Sequence, residues 1–211
     1  MYEVTCAEPE AGPVSILPVV GWLTVPAPSL TSLIDVVDHQ NQPIGVVRRR
    51  DLFRLRANFR TVHVLIFNSH AELLLQRLTW TKGREPGRWG SSAAGYLHAG
   101  EDYPVAARRR LAEELSLTAP LADVGVTCLL DETVAQFAGV FTATADHPRS
   151  AAPAHLTEIE FRPLAVVEQD MAAHPDDYTE TLRHVLMFWR QAACPGAARD
   201  ENMHAEPVSA T

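Results

Sequence analysis

The residues best suited to chemistry lie between Gly95 and Leu117, in the segment GYLHAGEDYPVAARRRLAEELSL. Two adjacent carboxylates, Glu113 and Glu114, stand near its end. Clustered carboxylates suit a hard divalent cation such as Mg²⁺, which prefers oxygen ligands and keeps some of its waters. A cation held in this way can bridge the oxygens of a diphosphate and activate a water molecule. The segment therefore indicates a site for metal-assisted chemistry.

A helix over residues 103–115 would position these carboxylates. Asp102 can cap its start, and Pro104 suits its first turn. Because a helix turns by about 100° per residue, positions 110, 113 and 114 share one face. Leu111 and Leu115 point to a different face, where they can reach a core. The sequence thus predicts a helix with one apolar face and one charged face.

Arg110 occupies the charged face beside the two carboxylates. An arginine side chain cannot bind Mg²⁺, and it stays protonated in proteins. It can pair with Glu113 at the i+3 position and Glu114 at the i+4 position, at about 0.2–0.5 kcal/mol per pair. We therefore expect Arg110 to reduce the affinity of this face for a metal.

The same segment resembles the signature of the Nudix family, G-x5-E-x7-R-E-U-x-E-E-x-G-U, where U is an aliphatic residue. It departs from that signature at Arg110, where the family has glutamate, and at Ser116, where the family has glycine. The positions that match are Gly95, Glu101, Arg109, Leu111, Glu113, Glu114 and Leu117.

Upstream segments extend the resemblance. DVVDHQNQPIGVVRRRDL, TVHVLIFNSHAELLLQR and TKGREPGRWGSSAAG are similar to the Nudix subfamily related to isopentenyl-diphosphate isomerase. The resemblance covers residues 33–190 and implies an α/β/α sandwich with a mixed sheet and flanking helices. It also implies cleavage of a small diphosphate linked to another moiety, with Mg²⁺ or Mn²⁺ as cofactor.

The resemblance assigns roles to individual residues. Arg109 would orient the site by pairing with a glutamate, and Gly95 would let the backbone approach the substrate closely. Arg77 and Lys82 would offset diphosphate charge. The implied catalytic residues are Glu113, Glu114 and Arg109, and the implied metal ligands are Glu113, Glu114 and Glu101.

The arginine at position 110 leaves the completion of the metal site open. Glu101 before the helix, Glu132 in LLDETV, and Glu158 or Glu160 in TEIEF could each supply a further carboxylate. Three functions follow from these options. The first is a diphosphohydrolase weakened by Arg110, and the second is a binding or regulatory protein on a degenerate Nudix fold, in which Arg110 holds an anion.

The third function is isopentenyl-diphosphate isomerase. We call the signature segment, residues 95–117, the box. The isomerase uses a cysteine immediately before the first glycine of the box and a histidine immediately after it. Ala94 and Tyr96 stand at those places here, so isomerase activity is not expected. Two further residues near the site have structural interpretations: we expect Trp89 to pack in the core and His98 to be a structural or solvated loop residue.

Strand patterns interleaved with helical patterns predict a mixed sheet with helices on its faces. The predicted strands are Leu33–Val37, Ile44–Val47, Val62–Phe67, Glu72–Gln76, Trp89–Leu97, Val124–Leu130, Ala135–Thr144 and Glu158–Phe161. Helices are predicted at residues 103–115, Ala165–Ala173 and Thr179–Ala192. We predict an irregular arm over residues 1–30, one Nudix domain over 31–192 and a disordered tail over 193–211.

Composition narrows the class of protein. The formal net charge is −8, which argues against a duplex-DNA partner. No apolar run is long enough to predict a membrane span, and the start MYEVTCAEPEAG lacks the basic region of a signal peptide. We expect a cytoplasmic monomer or homodimer with a small-molecule substrate. Cys6, Cys128 and Cys194 are far apart in sequence, which predicts isolated thiols.

Overall fold

A computed structural model describes residues 33–80, 85–131, 134–148 and 156–193. The predicted arm at 1–30 lies outside the described residues, as do Lys82, Glu132 and all of the predicted tail except Ala193. Among the helices that the structure describes, none is long and apolar enough to cross a membrane.

Nine strands and three α-helices make up the described part of the chain. The strands are β1 (Leu33–Val37), β2 (Pro43–Arg48), β3 (Phe59–Phe67), β4 (Glu72–Leu78), β5 (Trp89–Gly90), β6 (Ala93–Tyr96), β7 (Ala122–Asp131), β8 (Val134–Thr144) and β9 (Leu156–Pro163). The helices are α1 (Tyr103–Leu115), α2 (Leu164–Ala173) and α3 (Glu180–Ala193). Each predicted element is present, although the single strand expected over Trp89–Leu97 is two short strands, β5 and β6.

The larger sheet is mixed, as the sequence predicts. Its strands run in the order β5-β4-β3-β8-β7, with β6 also paired to β3 and β9 to β4. β3 and β8 are parallel, whereas the other described pairs in this sheet are antiparallel. β3 and β4 pair only at Phe67 and Leu73. Farther from the β3–β4 turn, β6 takes the place beside β3. Gly95 and Tyr96, which begin the signature segment, therefore lie next to the central strand.

Helices cover both faces of this sheet, which confirms the α/β/α sandwich. On one face, Val62 and Val64 of β3 pack with Leu111 and Leu115 of α1. On the other face, Leu65 of β3 packs in the cluster that includes α2 and α3 residues. Successive strand residues point to opposite faces, so β3 contributes to both cores. The core side of α1 is the apolar face that the sequence predicts.

The start of α1 follows the predicted capping pattern. The Asp102 side chain accepts a hydrogen bond from the Val105 backbone N–H at 2.8 Å, and Pro104 lies in the first turn. This bond satisfies one of the N–H groups that a helix start leaves without a partner.

The end of α1 explains the second departure from the Nudix signature. Ser116 closes the helix in the left-handed region, at φ 49° and ψ 35°. Its N–H donates to the Ala112 carbonyl at 3.1 Å, and the Leu117 N–H donates to the Leu111 carbonyl at 3.2 Å. Glycine is favoured at this position because it adopts the conformation without a Cβ clash. Serine keeps the helix end but adopts a less favourable backbone conformation.

A smaller sheet of β1 and β2 supports the loop that leads into α1. The Ala99 N–H donates to the Leu33 carbonyl at 2.9 Å, and the Gly100 N–H donates to the buried Asp35 carboxylate at 2.9 Å. Ile34 belongs to a separate apolar cluster against which Tyr96 packs. The small sheet therefore fixes both ends of the segment between β6 and α1.

Replacing Ser116 with glycine should stabilise the fold by about 1 kcal/mol, the scale of the penalty for a non-glycine residue in the left-handed region. The measurement is the free energy of unfolding by urea, compared between native protein, S116G and S116A. The alanine variant retains the Cβ and should not show the gain. Equal stability of S116G and native protein would contradict this account of the helix end.

Candidate active site

The candidate site lies where the charged face of α1 meets β6. Gly95 allows the approach: a Cβ added there would lie 2.4 Å from Nε of Arg110, much closer than real Cβ atoms come to a neighbour. Gly95 pairs with Val62 in the sheet, so the glycine lies directly beside the central strand β3. In the described structure, the group that comes close to Gly95 is the Arg110 side chain.

Arg109 links the helix to the loop before it. Its Nε and Nη2 donate to the two carboxylate oxygens of Glu101, each at 2.7 Å. Nη2 also donates to the Tyr96 carbonyl at 3.0 Å, and Nη1 donates to Glu113 Oε2 at 3.1 Å. Burial alone would lower the pKa of Arg109, but the bonds and charges of Glu101 and Glu113 outweigh it and raise that pKa. The predicted pairing of Arg109 with glutamate is therefore present.

Both carboxylate oxygens of Glu101 take part in this linkage. Besides the two bonds from Arg109, its Oε2 accepts the His98 backbone N–H at 2.8 Å. Burial would raise the pKa of Glu101, but the bonds from Arg109 and His98 reverse this and lower it. Glu101 thus holds the loop against α1 as an ionised carboxylate.

Arg110 pairs with both carboxylates expected from the sequence. Its Nη1 donates to Glu113 Oε2 at 2.9 Å, and its Nη2 is bonded to Glu114 Oε1. Its Nε donates to the Ala94 carbonyl at 2.9 Å. Burial is the main cause that lowers the pKa of Arg110 to about 10, and the nearby charge of Arg109 lowers it further against the opposing effect of Glu113. The side chain is therefore still a cation at pH 7.

The two box carboxylates have different surroundings. The Glu114 side chain is only 2% exposed, and its Oε2 also accepts the Ala94 backbone N–H at 3.2 Å. The Glu113 side chain is 39% exposed, and its Oε2 is shared by Arg109 and Arg110. Glu114 is thus a buried anion fixed to β6, whereas Glu113 faces the outside of the site.

This arrangement does not fit a divalent cation. In the part of the chain that the structure describes, no three His, Cys, Asp or Glu side chains are placed to share one ion. Glu113 and Glu114 lie close together, but Arg110 forms ion pairs with both of them. Glu101 is turned to Arg109 instead of joining them. Mg²⁺ prefers a set of oxygen ligands in near-octahedral geometry, and here a guanidinium takes the oxygens that are close together.

The late strand does not bring its carboxylates to α1. Ile159 packs in the cluster under α1, and its neighbours Glu158 and Glu160 alternate to the opposite face of the sheet. There Glu158 Oε2 lies 3.8 Å from Nη1 of Arg77, and Glu160 pairs with Arg162 at 2.8 Å. The structure therefore separates Glu158 and Glu160 from Glu113 and Glu114.

Arg77 lies on the same far face as Glu158. Its Nε donates to the Gly87 carbonyl at 3.0 Å, and its guanidinium carbon is 5.4 Å from the centre of the Trp89 ring. Trp89 is 5% exposed and packs with Tyr178 and Leu182, which confirms its predicted core position. Arg77 is thus held by protein groups on the face of the sheet opposite to the α1 carboxylates. The sequence did not predict this separation.

One charged residue near the site was missed in the sequence. The guanidinium carbon of Arg49 lies 4.5 Å from the centre of the Tyr96 ring. Its charge is also the smallest of the named causes that lower the pKa of Arg110. Arg49 belongs to the run Arg48–Arg50, which begins at the last residue of β2. Only the docking of the small sheet on Tyr96 identifies which of these arginines reaches the site.

Comparison with known proteins agrees with this geometry. The model of the NUDIX domain matches residues 57–185. The chain belongs to the Nudix family. An uncharacterised Nudix hydrolase of Pseudomonas aeruginosa is 34% identical over 163 residues, which cover 76% of this chain and 96% of that protein. An isopentenyl-diphosphate Delta-isomerase of Nocardia farcinica is 30% identical over 72% of this chain and 91% of its own length.

Solved structures support the same fold. The crystal structure of DR0079 from Deinococcus radiodurans matches 75% of this chain and 99% of that chain, with a TM-score of 0.65 and 22% sequence identity. This match shows the fold, and the relatives place the chain in the branch of the Nudix family related to isopentenyl-diphosphate isomerase.

The Glu101–Arg109 pair should make the Nudix domain sensitive to acid. A carboxylate with a lowered pKa contributes stability above its unfolded-state pKa, here near 4.5, and that contribution is lost as pH falls through the folded-state value. We expect E101Q to be less stable than native protein at pH 7, with the difference shrinking as the pH falls below about 4.5. Urea unfolding across this range measures it. A difference that is independent of pH would contradict an ionised Glu101 in the folded state.

Proposed function

We propose that this Nudix protein hydrolyses the diphosphate linkage of a small organic diphosphate, such as a nucleoside diphosphate linked to another moiety, with turnover limited by Arg110. The observation that supports the proposal is the preserved frame of the box. Arg109 joins Glu101, Glu113 and the Tyr96 carbonyl, as expected for the residue that orients a Nudix site.

The proposed roles follow from the surroundings of each group. Glu113 is the more exposed box carboxylate and is the one that a substrate could approach, whereas Glu114 is fixed by the Ala94 N–H. Arg49 lies over the ring of Tyr96, the residue next to Gly95, and adds positive charge there. A diphosphate is recognised by such cations through charge-assisted hydrogen bonds.

Mg²⁺ or Mn²⁺ is the cofactor that we propose from membership of the Nudix family. Glu113 and Glu114 are the two candidate ligands that the structure brings together. Both are bonded to Arg110, so the guanidinium must leave them before they could serve. We propose Glu101 as a structural partner of Arg109 in the resting protein, and Lys82 as a residue that adds positive charge at the substrate site.

The two other functions considered from the sequence are less well supported. Three of the five N–H groups of Arg110 already donate to protein oxygens, so as an anion-holding residue it would have to use the one remaining N–H on each of its two terminal nitrogens. Isomerase activity is not proposed, because Ala94 and Tyr96 stand beside Gly95 where the isomerase has cysteine and histidine. We propose that the protein acts in the cytoplasm as a monomer or homodimer on small molecules; its net charge of −8 disfavours duplex DNA.

A substrate panel tests the proposed reaction. Nucleoside diphosphates, nucleotide sugars and prenyl diphosphates are incubated with the native protein, with and without Mn²⁺, and the release of phosphate or monophosphate is measured. We expect slow, Mn²⁺-dependent release from at least one class. E113Q should reduce it by about tenfold or more, because a group close to a metal or its ligands typically carries an effect of that size.

The matched control is E168Q, which removes a carboxylate from α2 that pairs with Arg190 and not with the box. It should keep the native rate. No turnover of any class at high protein and high Mn²⁺ would reject the hydrolase proposal. Interconversion of isopentenyl and dimethylallyl diphosphate in the same panel would instead favour the isomerase.

A further inference from the structure

We infer that Arg110 is a built-in replacement for a divalent cation at the box helix, so that the free protein binds neither Mg²⁺ nor Mn²⁺ between Glu113 and Glu114. The inference deepens the proposed function, because it identifies what limits the metal. It can be tested without any substrate.

The contacts of Arg110 are those that a cation at this position would make. Two of its nitrogens are bonded to the carboxylates of Glu113 and Glu114, and the third donates to the Ala94 carbonyl. All three partners are oxygen atoms, the ligand type that Mg²⁺ also takes. A metal and the guanidinium would therefore compete for the same oxygens.

The charges lead to the same conclusion. An arginine in place of the signature's glutamate removes one negative charge and adds one positive charge, a change equal to the charge of a divalent ion. Among the described residues that form the ion pairs of Arg109 and Arg110 or lie over the Tyr96 ring, the cations are Arg49, Arg109 and Arg110, and the carboxylates are Glu101, Glu113 and Glu114. These charges balance, so little negative potential is left to attract a metal.

The burial of Glu114 makes this balance necessary. A carboxylate that is 2% exposed needs a positive partner, because an unpaired buried charge is strongly unfavourable. A divalent ion can meet this need in a Nudix site with three carboxylates. Here Arg110 meets it from the same helix turn, which lets the box fold around Glu114 before any ion arrives.

Gly95 provides the space in which Arg110 lies. A Cβ on residue 95 would lie 2.4 Å from Nε, 2.7 Å from Cζ and 2.9 Å from Cδ of Arg110. The glycine that the family uses beside its active site therefore accommodates the arginine stem here. In G95A the flexible arginine side chain would have to move, which would release its hold on Glu113 and Glu114.

The test measures Mn²⁺ binding directly, by the loss of the free-ion electron paramagnetic resonance signal, on four proteins. These are native protein, R110E, R110Q and the matched control R108E, which makes the same charge change at an exposed position of α1. We expect R110E to bind Mn²⁺ at least about tenfold more tightly than native protein, a typical effect of changing the surroundings of a metal. R110Q should gain less, and R108E should behave as native protein does.

The native titration decides the inference even if a variant does not fold. Saturable binding of Mn²⁺ to native protein below the millimolar range, abolished in E113Q, would overturn it. Equal gains in R108E and R110E would also overturn it, because they would show that overall charge and not the place of Arg110 controls binding. G95A, with its residue 110 unchanged, should bind Mn²⁺ more tightly than native protein.

Thermal unfolding supplies a second readout on the same samples. Added Mn²⁺ should raise the melting temperature of R110E, since a ligand that binds only the folded state stabilises it, and should leave that of native protein unchanged. The substrate panel tests hydrolysis, whereas these titrations test metal binding by the free protein, so either result can be negative without deciding the other. Absence of turnover leaves the metal result standing, and strong Mn²⁺ binding by native protein would remove the inference while leaving hydrolysis possible.

Discussion

The buried carboxylate of Glu114 is the constraint on which the site depends. It lies between α1 and β6, where it accepts the Ala94 N–H and pairs with Arg110. Charge at such a place costs several kcal/mol in lost hydration unless a cation and hydrogen bonds compensate it. Arg110 supplies that cation from within the chain, so the packing of α1 on β6 does not require a bound metal ion. The position of Arg110 therefore links the stability of the box to its chemistry.

A second ion pair keeps the remainder of the box in the form common to the family. Arg109 holds Glu101 with two bonds and reaches the Tyr96 carbonyl, which ties both ends of the loop to α1. The small sheet completes this frame through Asp35, whose carboxylate accepts the Gly100 N–H. The frame and the metal-facing residues meet at Glu113, whose Oε2 accepts from both Arg109 and Arg110. Their other partners differ, since Arg109 bonds to Glu101 and the Tyr96 carbonyl, whereas Arg110 bonds to Glu114 and the Ala94 carbonyl.

Much of this could be predicted from local sequence. Asp102, Pro104 and the apolar spacing of Leu111 and Leu115 predict α1 correctly, and helical geometry alone places Arg110 beside Glu113 and Glu114. These are interactions over one or two helical turns. They depend little on the remainder of the fold.

Other features required long-range information. The split of Trp89–Leu97 into β5 and β6 arises because β3 and β4 pair only beside their turn, at Phe67 and Leu73, and then separate; β5 pairs with β4 and β6 with β3. No local pattern predicts that separation. The reach of Arg49 to Tyr96 depends on how the small sheet docks. The direction of Glu158 is an intermediate case: alternation with Ile159 is local, but the face that Ile159 occupies is known only from its packing under α1. A fold family can therefore be identified from spacing, while the set of groups that meet at its site depends on register. In this chain that register leaves Glu113 and Glu114 with Arg110 as their shared partner, and it turns the late-strand carboxylates toward other arginines.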